Sequence, residues 1–408
     1  MDFKISDIKE FFRYDPSSAI IKGNGSGQER NRYYSKVSYR YGYAMKMLCV
    51  LLALVMLIFI FSGSISYNNF YYLVKDFGIA ADYVNSNYQS ITYGVGNSQT
   101  FAIYHGGLAV ASREGISLYT AGGSELFSLT HQYGNPVIEA SAKYALLYDI
   151  GGKQYSLYNS FSNMKEETLD HSIYGAVIAD TGEYAIISSS EEYRSVLRVY
   201  DRDGTRYDYN FSSSYIYSLA MSQDGSRIAI VLLDSVEGAF KSELRVYNIG
   251  RSEYQSAYTS FSSVPFEIGF FDNGNICAVS KEGINVFGRN LKLEGEYYTQ
   301  NEVYEYSLSN DGVAITYFDK NDSESQMILF DKRGNIRYNE KIAGKILDVE
   351  IYEQYLFLQT PSGFARINTN KQNDRNEIKI VSSDFKMLVR DTKTVLICNS
   401  SYARFIKF

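Results

Sequence analysis

The chain has 408 residues, of which 45% are hydrophobic and 21% are charged, and its formal net charge is −6. This composition is that of a globular protein and excludes a wholly disordered chain. Three cysteines exclude a disulfide-dense scaffold, and the negative charge excludes nucleic acid as the expected partner, since that partner normally needs a basic face. The 39 tyrosines favour β structure.

The first 46 residues are predicted to form a cytoplasmic tail. Ile5, Ile8 and Phe12 recur at a spacing that places them on one side of a short helix, and residues 23–28 (GNGSGQ) are typical of a flexible linker. A helix of this kind can dock a cytoplasmic protein through its apolar side. The alternative is a disordered tail that has no partner.

An uncharged segment follows the tail. Residues 47–61 contain no charged side chain, and residues up to 65 extend the segment to roughly 20 residues, enough to cross the hydrocarbon core of a bilayer. We therefore predict a transmembrane helix over residues 47–65. The alternative is a cleaved signal peptide, but 46 residues precede the segment, far more than the basic region of such a peptide contains.

Basic residues predict the orientation of this helix. The first 46 residues contain nine Lys and Arg against five Asp and Glu, a net charge of +4, which leaves −10 for the remainder. The positive-inside rule then places the N-terminus in the cytoplasm. We expect a single-pass protein of the cell membrane whose remaining residues lie on the extracytoplasmic side.

Residues 66–87 are predicted to form a juxtamembrane tether. Phe70, Leu73, Val74 and Phe77 have the spacing of one helix face. Such a helix packs on the next domain or continues the span. The alternative is an interfacial helix that fixes the height of the next domain above the lipid.

A repeat begins beyond residue 98. In each copy, an aromatic or aliphatic residue is followed by a residue typical of turns. The copies read ISLYT, YSLYN, LRVYD, LRVYN, INVFG, MILFD and FARIN. The interval between copies averages about 41 residues. A period of 40 to 45 residues with several short strands in each unit is typical of propeller blades.

A second marker recurs in phase with the first. A polar turn with glycine precedes an alternating apolar run, as in ADTGEYAIIS and SQDGSRIAIVL, and such turns predict β-hairpins. Each repeat therefore contains four strands, which we call A to D. The repeats begin near residues 100, 136, 173, 215, 265, 303, 345 and 384.

The last repeat supplies only three strands before the chain ends. Residues 88–94 (YQSITYG) are predicted to provide the missing D strand, because closing the ring in this way removes both free sheet edges. We therefore predict an all-β propeller over residues 88–408. Eight blades are preferred, and seven are the runner-up.

The turn followed by an alternating run resembles WD-repeat and TolB-like propellers, and SQDGSRIAIV carries the resemblance best. The Trp-Asp pair of WD repeats is replaced by Tyr200-Asp201 and Phe330-Asp331. The layout is also similar to an uncharacterised family of single-span, membrane-anchored propeller proteins of Gram-positive anaerobes. These resemblances imply a fold and a location, and no chemistry.

Three predicted B–C loops are longer than the others, at residues 188–195, 233–243 and 319–326. Binding residues concentrate on loops that a rigid scaffold holds, and aromatic and arginine side chains anchor interfaces. The candidate binding residues are therefore two aromatic–cation pairs, Tyr193 with Arg194 and Phe240 with Lys241. The alternative is that these loops are simply solvated.

No catalytic residue is assigned, since the chain has no nucleophile elbow, HExxH or Walker-type motif, and no metal or cofactor is expected. The first hypothesis is a non-catalytic scaffold that binds a protein or a cell-envelope polymer. The second is an enzyme that cleaves glycan or peptide at the central channel, which predicts carboxylates or histidines lining that channel. The third is a structural spacer.

Overall fold

The computed structural model describes residues 27–60 and 90–408, apart from residues 95–98, 105, 121, 142–143, 160–162, 202–203, 320–322, 372–373 and 381–384. The chain divides into two compact units, residues 1–70 and residues 71–408. The predicted tether and the docking residues Ile5, Ile8 and Phe12 lie outside the described residues.

The first unit contains helix α1, Gly27–Ile60. It begins well before the predicted span, so the end of the predicted linker and the basic residues after it are helical as well. Residues 29–46 contain no proline and include many good helix formers, which explains this continuity. Within the described residues, no helix reaches the length and apolarity expected of a bilayer span, and residues 61–65 of the predicted span are not among them.

The second unit consists of eight antiparallel sheets of four strands each. The first four sheets are blades 1 to 4. Their strands are β2 (Thr100–Tyr104), β3 (Gly107–Ala111), β4 (Gly115–Tyr119) and β5 (Glu125–Thr130); β6 (Pro136–Ala140), β7 (Tyr144–Asp149), β8 (Gln154–Asn159) and β9 (Asn163–Thr168); β10 (Ile173–Ile178), β11 (Tyr184–Ser188), β12 (Ser195–Tyr200) and β13 (Arg206–Phe211); β14 (Tyr215–Met221), β15 (Arg227–Val236), β16 (Ala239–Asn248) and β17 (Tyr254–Tyr258).

Blades 5 to 8 complete the propeller, and the last of them includes the first strand of the chain. Their strands are β18 (Pro265–Phe270), β19 (Ile276–Ser280), β20 (Gly283–Phe287) and β21 (Leu293–Tyr298); β22 (Val303–Ser309), β23 (Gly312–Asp319), β24 (Glu324–Phe330) and β25 (Ile336–Ala343); β26 (Asp348–Tyr352), β27 (Tyr355–Thr360), β28 (Gly363–Asn368) and β29 (Arg375–Ile378); β30 (Lys386–Asp391), β31 (Thr394–Cys398), β32 (Tyr402–Lys407) and β1 (Ile91–Thr92).

Each blade has an apolar middle and a polar outer edge. The B strands are mostly buried, and β19, with the sequence ICAVS, is buried along its whole length because both of its faces pack on neighbouring blades. The outer D strands alternate between exposed and half-buried residues, as β21 does with LEGEYY. This contrast explains why the B strands are continuous apolar runs, whereas the D strands are difficult to recognise in the sequence.

The eight blades form a closed ring. The A strand of each blade contacts the A strand of the next, and β30 of blade 8 contacts β2 of blade 1, so the A strands line a central channel. Strand β1 pairs with β32 through Ile91 with Ala403 and Thr92 with Tyr402. The prediction of eight blades closed by an N-terminal D strand is confirmed, and the seven-blade alternative is wrong.

The propeller has two different ends. We call the end with the B–C and D–A connections the loop face, and the end with the A–B and C–D turns, such as residues 222–226, the turn face. The predicted glycine turns lie on the turn face, where Gly225 and Gly274 have φ values of 67° and 82°. Glycine adopts such values without the steric penalty of a side chain.

Candidate functional site

Exposed apolar side chains gather on the loop face. Among the described residues of the propeller, eleven large apolar or aromatic side chains are more than a third exposed, and eight of them lie at or beside this face. These eight are Leu129, Ile150, Tyr174, Tyr215, Tyr217, Phe240, Tyr298 and Tyr304. Single exposed apolar residues are normal on a protein surface, whereas a concentration on one face indicates an interaction site.

Four consecutive blades carry an aromatic β-bulge at the start of strand A. The ladder register shifts by one residue at Tyr174, Tyr217, Phe266 and Tyr304, in blades 3 to 6. A bulge increases the local twist and redirects the extra side chain. The three tyrosines are about half exposed, whereas Phe266 is half-buried and packs at 5.2 Å from the ring of Tyr306. These residues, which we call the aromatic arc, lie where the central channel opens onto the loop face.

Phe240 and Lys241 lie on a projecting hairpin rather than in the predicted loop. The β15–β16 ladder continues to Val236 and Ala239, and strand β14 pairs with β15 only as far as Leu233. Residues 234–241 therefore project as a two-stranded finger, and its three residue pairs extend about 10 Å beyond the blade. The prediction of a loop over residues 233–243 is wrong in this respect.

The turn at the tip explains why the finger forms. Glu237 and Gly238 have φ values of 52° and 83°, and positive φ at both central residues is the geometry of a two-residue type I′ hairpin turn. Phe240 is 76% exposed near this tip, and Lys241 is exposed beside it. The ladder of blade 6 likewise extends to Asp319 and Glu324, which shortens the predicted loop over residues 319–326.

Tyr193 and Arg194 lie in a B–C loop of blade 3, as predicted. The Arg194 guanidinium lies 5.3 Å from the centre of the Tyr215 ring in blade 4, a cation–π contact across neighbouring blades. A second contact of this kind places Lys345 Nζ at 3.9 Å from the ring of Tyr304. Two exposed tyrosines of this face are therefore oriented by a neighbouring cation.

The two predicted aromatic–cation pairs lie on the same face of the propeller, but they do not contact each other. Within the described part of the chain, neither Phe240 nor Lys241 forms a hydrogen bond, an ion pair or a ring contact with Tyr193 or Arg194. The aromatic arc was not predicted. A signal for it exists in the sequence, since the second or third residue of strand A is aromatic in four successive repeats.

Carboxylates line the channel next to the aromatic arc. A cavity of about 680 Å³ is bounded by the A strands of blades 5 to 8. Its charged lining residues are Glu267, Glu305, Asp348, Glu350 and Lys386. The Lys386 ammonium lies 3.3 Å from Asp348 Oδ2, the Ser307 hydroxyl donates to Glu350 Oε2 at 3.0 Å, and the Tyr306 hydroxyl donates to Glu267 Oε2 at 3.2 Å. The lining that the enzyme hypothesis requires is therefore present.

Burial changes the protonation of these groups. Desolvation and the nearby Asp348 raise the pKa of Glu350 to about 7. In blade 2, desolvation and the charge of Glu267 raise the pKa of Glu139 to about 7. Burial alone lowers the pKa of Lys386, but Asp348 and Glu350 outweigh that effect and raise it. Among the described residues, no group of three or more His, Cys, Asp or Glu side chains is arranged to hold a metal ion.

Comparison with known families places the propeller in one of them. Residues 81–408 match the model of a family of unknown function, DUF5711. The chain belongs to this family. No curated protein matches the chain in sequence. Membership of this family therefore assigns no activity to the loop face or to the channel.

Three solved structures with a similar fold are distant from this chain in sequence. Sqt1 of Saccharomyces cerevisiae has a TM-score of 0.55 at 12% identity, and the match covers 79% of this chain and 99% of that one. Sqt1 of Chaetomium thermophilum, solved with the N-terminus of ribosomal protein L10, has a TM-score of 0.54 at 11% identity and covers 78% and 99%. BamB of Moraxella catarrhalis has a TM-score of 0.53 at 12% identity and covers 78% and 98%. At these identities the likeness shows the propeller fold alone.

Proposed function

We propose that the protein is a membrane-anchored scaffold whose propeller binds a protein partner through its loop face. The observation that carries this proposal is the concentration of exposed aromatic side chains on that face, together with the projecting finger. Tyrosine, phenylalanine and arginine provide most of the binding energy in protein interfaces. The rigid ring of blades holds these side chains in place, so a partner orders few residues when it binds.

Phe240 and the aromatic arc have complementary roles in this proposal. The finger presents Phe240 at its tip, where a pocket in the partner can enclose the ring. Tyr174, Tyr217 and Tyr304 offer a broader platform beside the channel, and their hydroxyls supply hydrogen bonds at its rim. Tyr193, Arg194 and Lys241 complete the contact surface. A propeller of similar fold, Sqt1, was solved with an N-terminal segment of another protein, which supports a protein as the partner.

We further propose that residues 47–65 anchor the protein in the cell membrane with the propeller outside. Helix α1 supports this anchor, because its side chains from Met47 to Met56 are apolar and exposed on every side of the helix. A helix that is apolar all round belongs in an apolar environment. The tail before the span then lies in the cytoplasm, where Ile5, Ile8 and Phe12 dock a protein partner, and residues 66–87 form the tether.

Photo-crosslinking in intact cells tests the role of the loop face. A photoreactive phenylalanine replaces Phe240 or Tyr217 in the full chain, and Tyr254, an exposed tyrosine of the turn face, is the matched control. We expect the same adduct at positions 240 and 217 and none at 254. The Phe240→Ala substitution should then weaken the adduct at 217. Adducts of equal yield at all three positions, or at none, contradict the proposal.

The channel supports a second candidate function, hydrolysis of a glycan or peptide. Glu350, with its pKa near 7, lies beside Asp348 in the channel, and a carboxyl group with a pKa near neutrality can act as a general acid or base. Wild-type protein should then release fragments from purified cell-wall material, and Glu350→Gln should abolish the release. The exposed Glu353→Gln in the same blade is the control. Equal release by Glu350→Gln, or none by the wild type, excludes this function.

A further inference from the structure

A cavity of about 540 Å³ lies on the turn face between blades 4 and 5, at the other end of the propeller from the aromatic arc. Its walls include the A–B turn of blade 4 (residues 222–226), the A–B turn of blade 5 (residues 271–275) and the C–D turn that carries Arg289. Neither proposed function uses this cavity.

Two guanidinium groups meet in this cavity. Arg227 Nη2 donates to the carbonyl of Gly274 at 3.0 Å, and Arg289 Nε donates to the carbonyl of Asn273 at 2.9 Å. A Cβ atom on Gly274 would lie 2.6 Å from Arg227 Nη2 and 2.7 Å from Arg289 Nε, so the two nitrogens flank the same point. Like charges at this separation repel each other, and burial together with Arg289 lowers the pKa of Arg227.

No carboxylate of the described residues pairs with either arginine. Both guanidinium groups donate only to backbone carbonyls, and neither forms an ion pair within the described part of the chain. Asp272 lies in the cavity wall but is bound by Lys332, whose ammonium is 2.6 Å from its carboxylate. The same ammonium lies 3.1 Å from Asp311, and Asp272 forms no ion pair with either arginine.

Asp224 is the other carboxylate of the cavity wall, and its hydrogen bonds are formed with residues of its own turn. It accepts hydrogen bonds from the Ser222 hydroxyl at 2.6 Å and from the hydroxyl and backbone N–H of Ser226 at 2.8 and 3.1 Å. Its charge attracts Arg227 without contact at ion-pair distance. Neither arginine therefore has a carboxylate at ion-pair distance among the described residues, although Asp224 and Asp272 equal the two arginines in number.

Two side-chain amides add further donors. Asn248 and Gln255 line the same cavity, and neither side chain makes a hydrogen bond to another described residue. Two guanidinium forks and two amides around one space suit an acceptor with several oxygens in a tetrahedral arrangement. A planar carboxylate has only two oxygens and uses fewer of these donors.

We propose that this cavity binds a phosphate ester, with Arg227 and Arg289 as the principal ligands and Asn248 and Gln255 as neutral donors. The volume exceeds that of a bare ion, so part of the group that carries the phosphate enters as well. The ester belongs to a lipid headgroup or to a soluble or polymeric phosphate, and both present the same oxygens to the arginines.

Calorimetric titration of the full-length protein in phosphate-free buffer tests the proposal. The probes are glycerol 3-phosphate and a short-chain phosphatidylglycerol, with the diacylglycerol of equal chain length, which lacks the phosphate, as a lipid control. We expect Arg289→Gln to weaken binding about tenfold or more, because a hydrogen-bonded charge is lost. The exposed Arg404→Gln in β32 makes the same change of charge away from the cavity and should leave the affinity within about twofold.

The two probes distinguish the sources of the phosphate. Binding of both probes supports a lipid headgroup, whereas binding of glycerol 3-phosphate alone supports a soluble or polymeric ester. Absence of binding by both, or equal affinities for the wild type and Arg289→Gln, overturns the proposal. Because Arg289 is an exposed turn residue, its substitution leaves the blade core intact, and a circular dichroism spectrum checks this.

Discussion

The Tyr93 hydroxyl donates a hydrogen bond of 2.7 Å to the backbone carbonyl of Asn399, a residue 306 positions further along the chain. The bond lies beside the β1–β32 pairing that closes the ring. Two distant parts of the sequence therefore share blade 8.

Ile91→Ala should weaken ring closure. The Ile91 side chain is buried between blades 8 and 1, where it packs in one cluster with Leu108, Leu396 and Phe405. Removing a buried aliphatic side chain of this size typically lowers the free energy of unfolding by about 2 to 4 kcal/mol. Urea denaturation measures the loss. The exposed neighbour Thr92→Ala should change stability by less than about 0.5 kcal/mol, and equal effects of the two substitutions would contradict the closure.

The finger depends on positive φ at its tip. Gly238 has a φ of 83° and no heavy atom within 4 Å of a Cβ placed on it, so Gly238→Ala costs conformational energy alone, about 1 kcal/mol. Glu237→Asn should instead stabilise the turn, since Asn-Gly is the preferred pair for this geometry. Amide hydrogen exchange of residues 234–241 should be faster in the first variant and slower in the second. Unchanged exchange in both would mean that the turn does not hold the finger.

The glycine that begins strand C of blade 5 should tolerate no side chain. Gly283 has a φ of 150°, and a Cβ atom there would lie 1.9 Å from the carbonyl oxygen of Tyr297. Gly283→Ala should therefore destabilise the propeller by about 3 kcal/mol as the hairpin shifts away from strand D. Gly151→Ala is the matched control, because its φ is 80° but nothing lies within 4 Å. Its expected cost is about 1 kcal/mol, and a similar loss at both positions would contradict the steric argument.

Stability should fall as the pH rises towards neutrality. The pKa values of Glu139 and Glu350 are about 7 in the folded chain, above the ordinary value of 4.5. The folded state therefore holds protons that the unfolded chain has released, and the free energy of unfolding decreases between about pH 4.5 and pH 7. At about 1.4 kcal/mol per pKa unit, each of the two groups contributes about 3 to 4 kcal/mol to this loss.

Glu350→Gln tests this pH dependence. The glutamine cannot ionise, so the difference in unfolding free energy between pH 5 and pH 8 should shrink relative to the wild type. Glu353→Gln removes an exposed carboxylate of the same blade and should keep the wild-type profile. A profile for Glu350→Gln that matches the wild type would show that this carboxyl group is not desolvated in the channel.

The blades could be predicted because each one repeats the same local pattern. A buried B strand such as Ile276–Ser280 stands out as an apolar run, and the Asn-Gly turn before it marks its start. The closing strand could also be predicted, since the last repeat lacked one strand. The repeated pattern depends on residues that are close in sequence, and the closing strand follows from counting the strands of the repeats.

The functional candidates depend on geometry that one sequence does not reveal. The bulge at Tyr217 is a shift of ladder register, and the aromatic residue near the start of strand A marks its position without revealing the shift. The finger turn uses Glu237-Gly238, a weaker signal than Asn-Gly, so the sequence predicts a loop there. Arg227 and Arg289 meet only because the turns of two blades lie side by side.

Closure through β1 also sets the order in which the propeller is completed. The ribosome makes this strand before every other strand of the propeller, yet its partner, Tyr402–Lys407, is the last of these strands to emerge. Seven blades can assemble before β1 is paired, and the final sheet acquires its outer edge only after β32 has emerged. A mechanical load applied from the N-terminal side would act first on this two-residue strand, so the ring would open there while the other blades stayed folded.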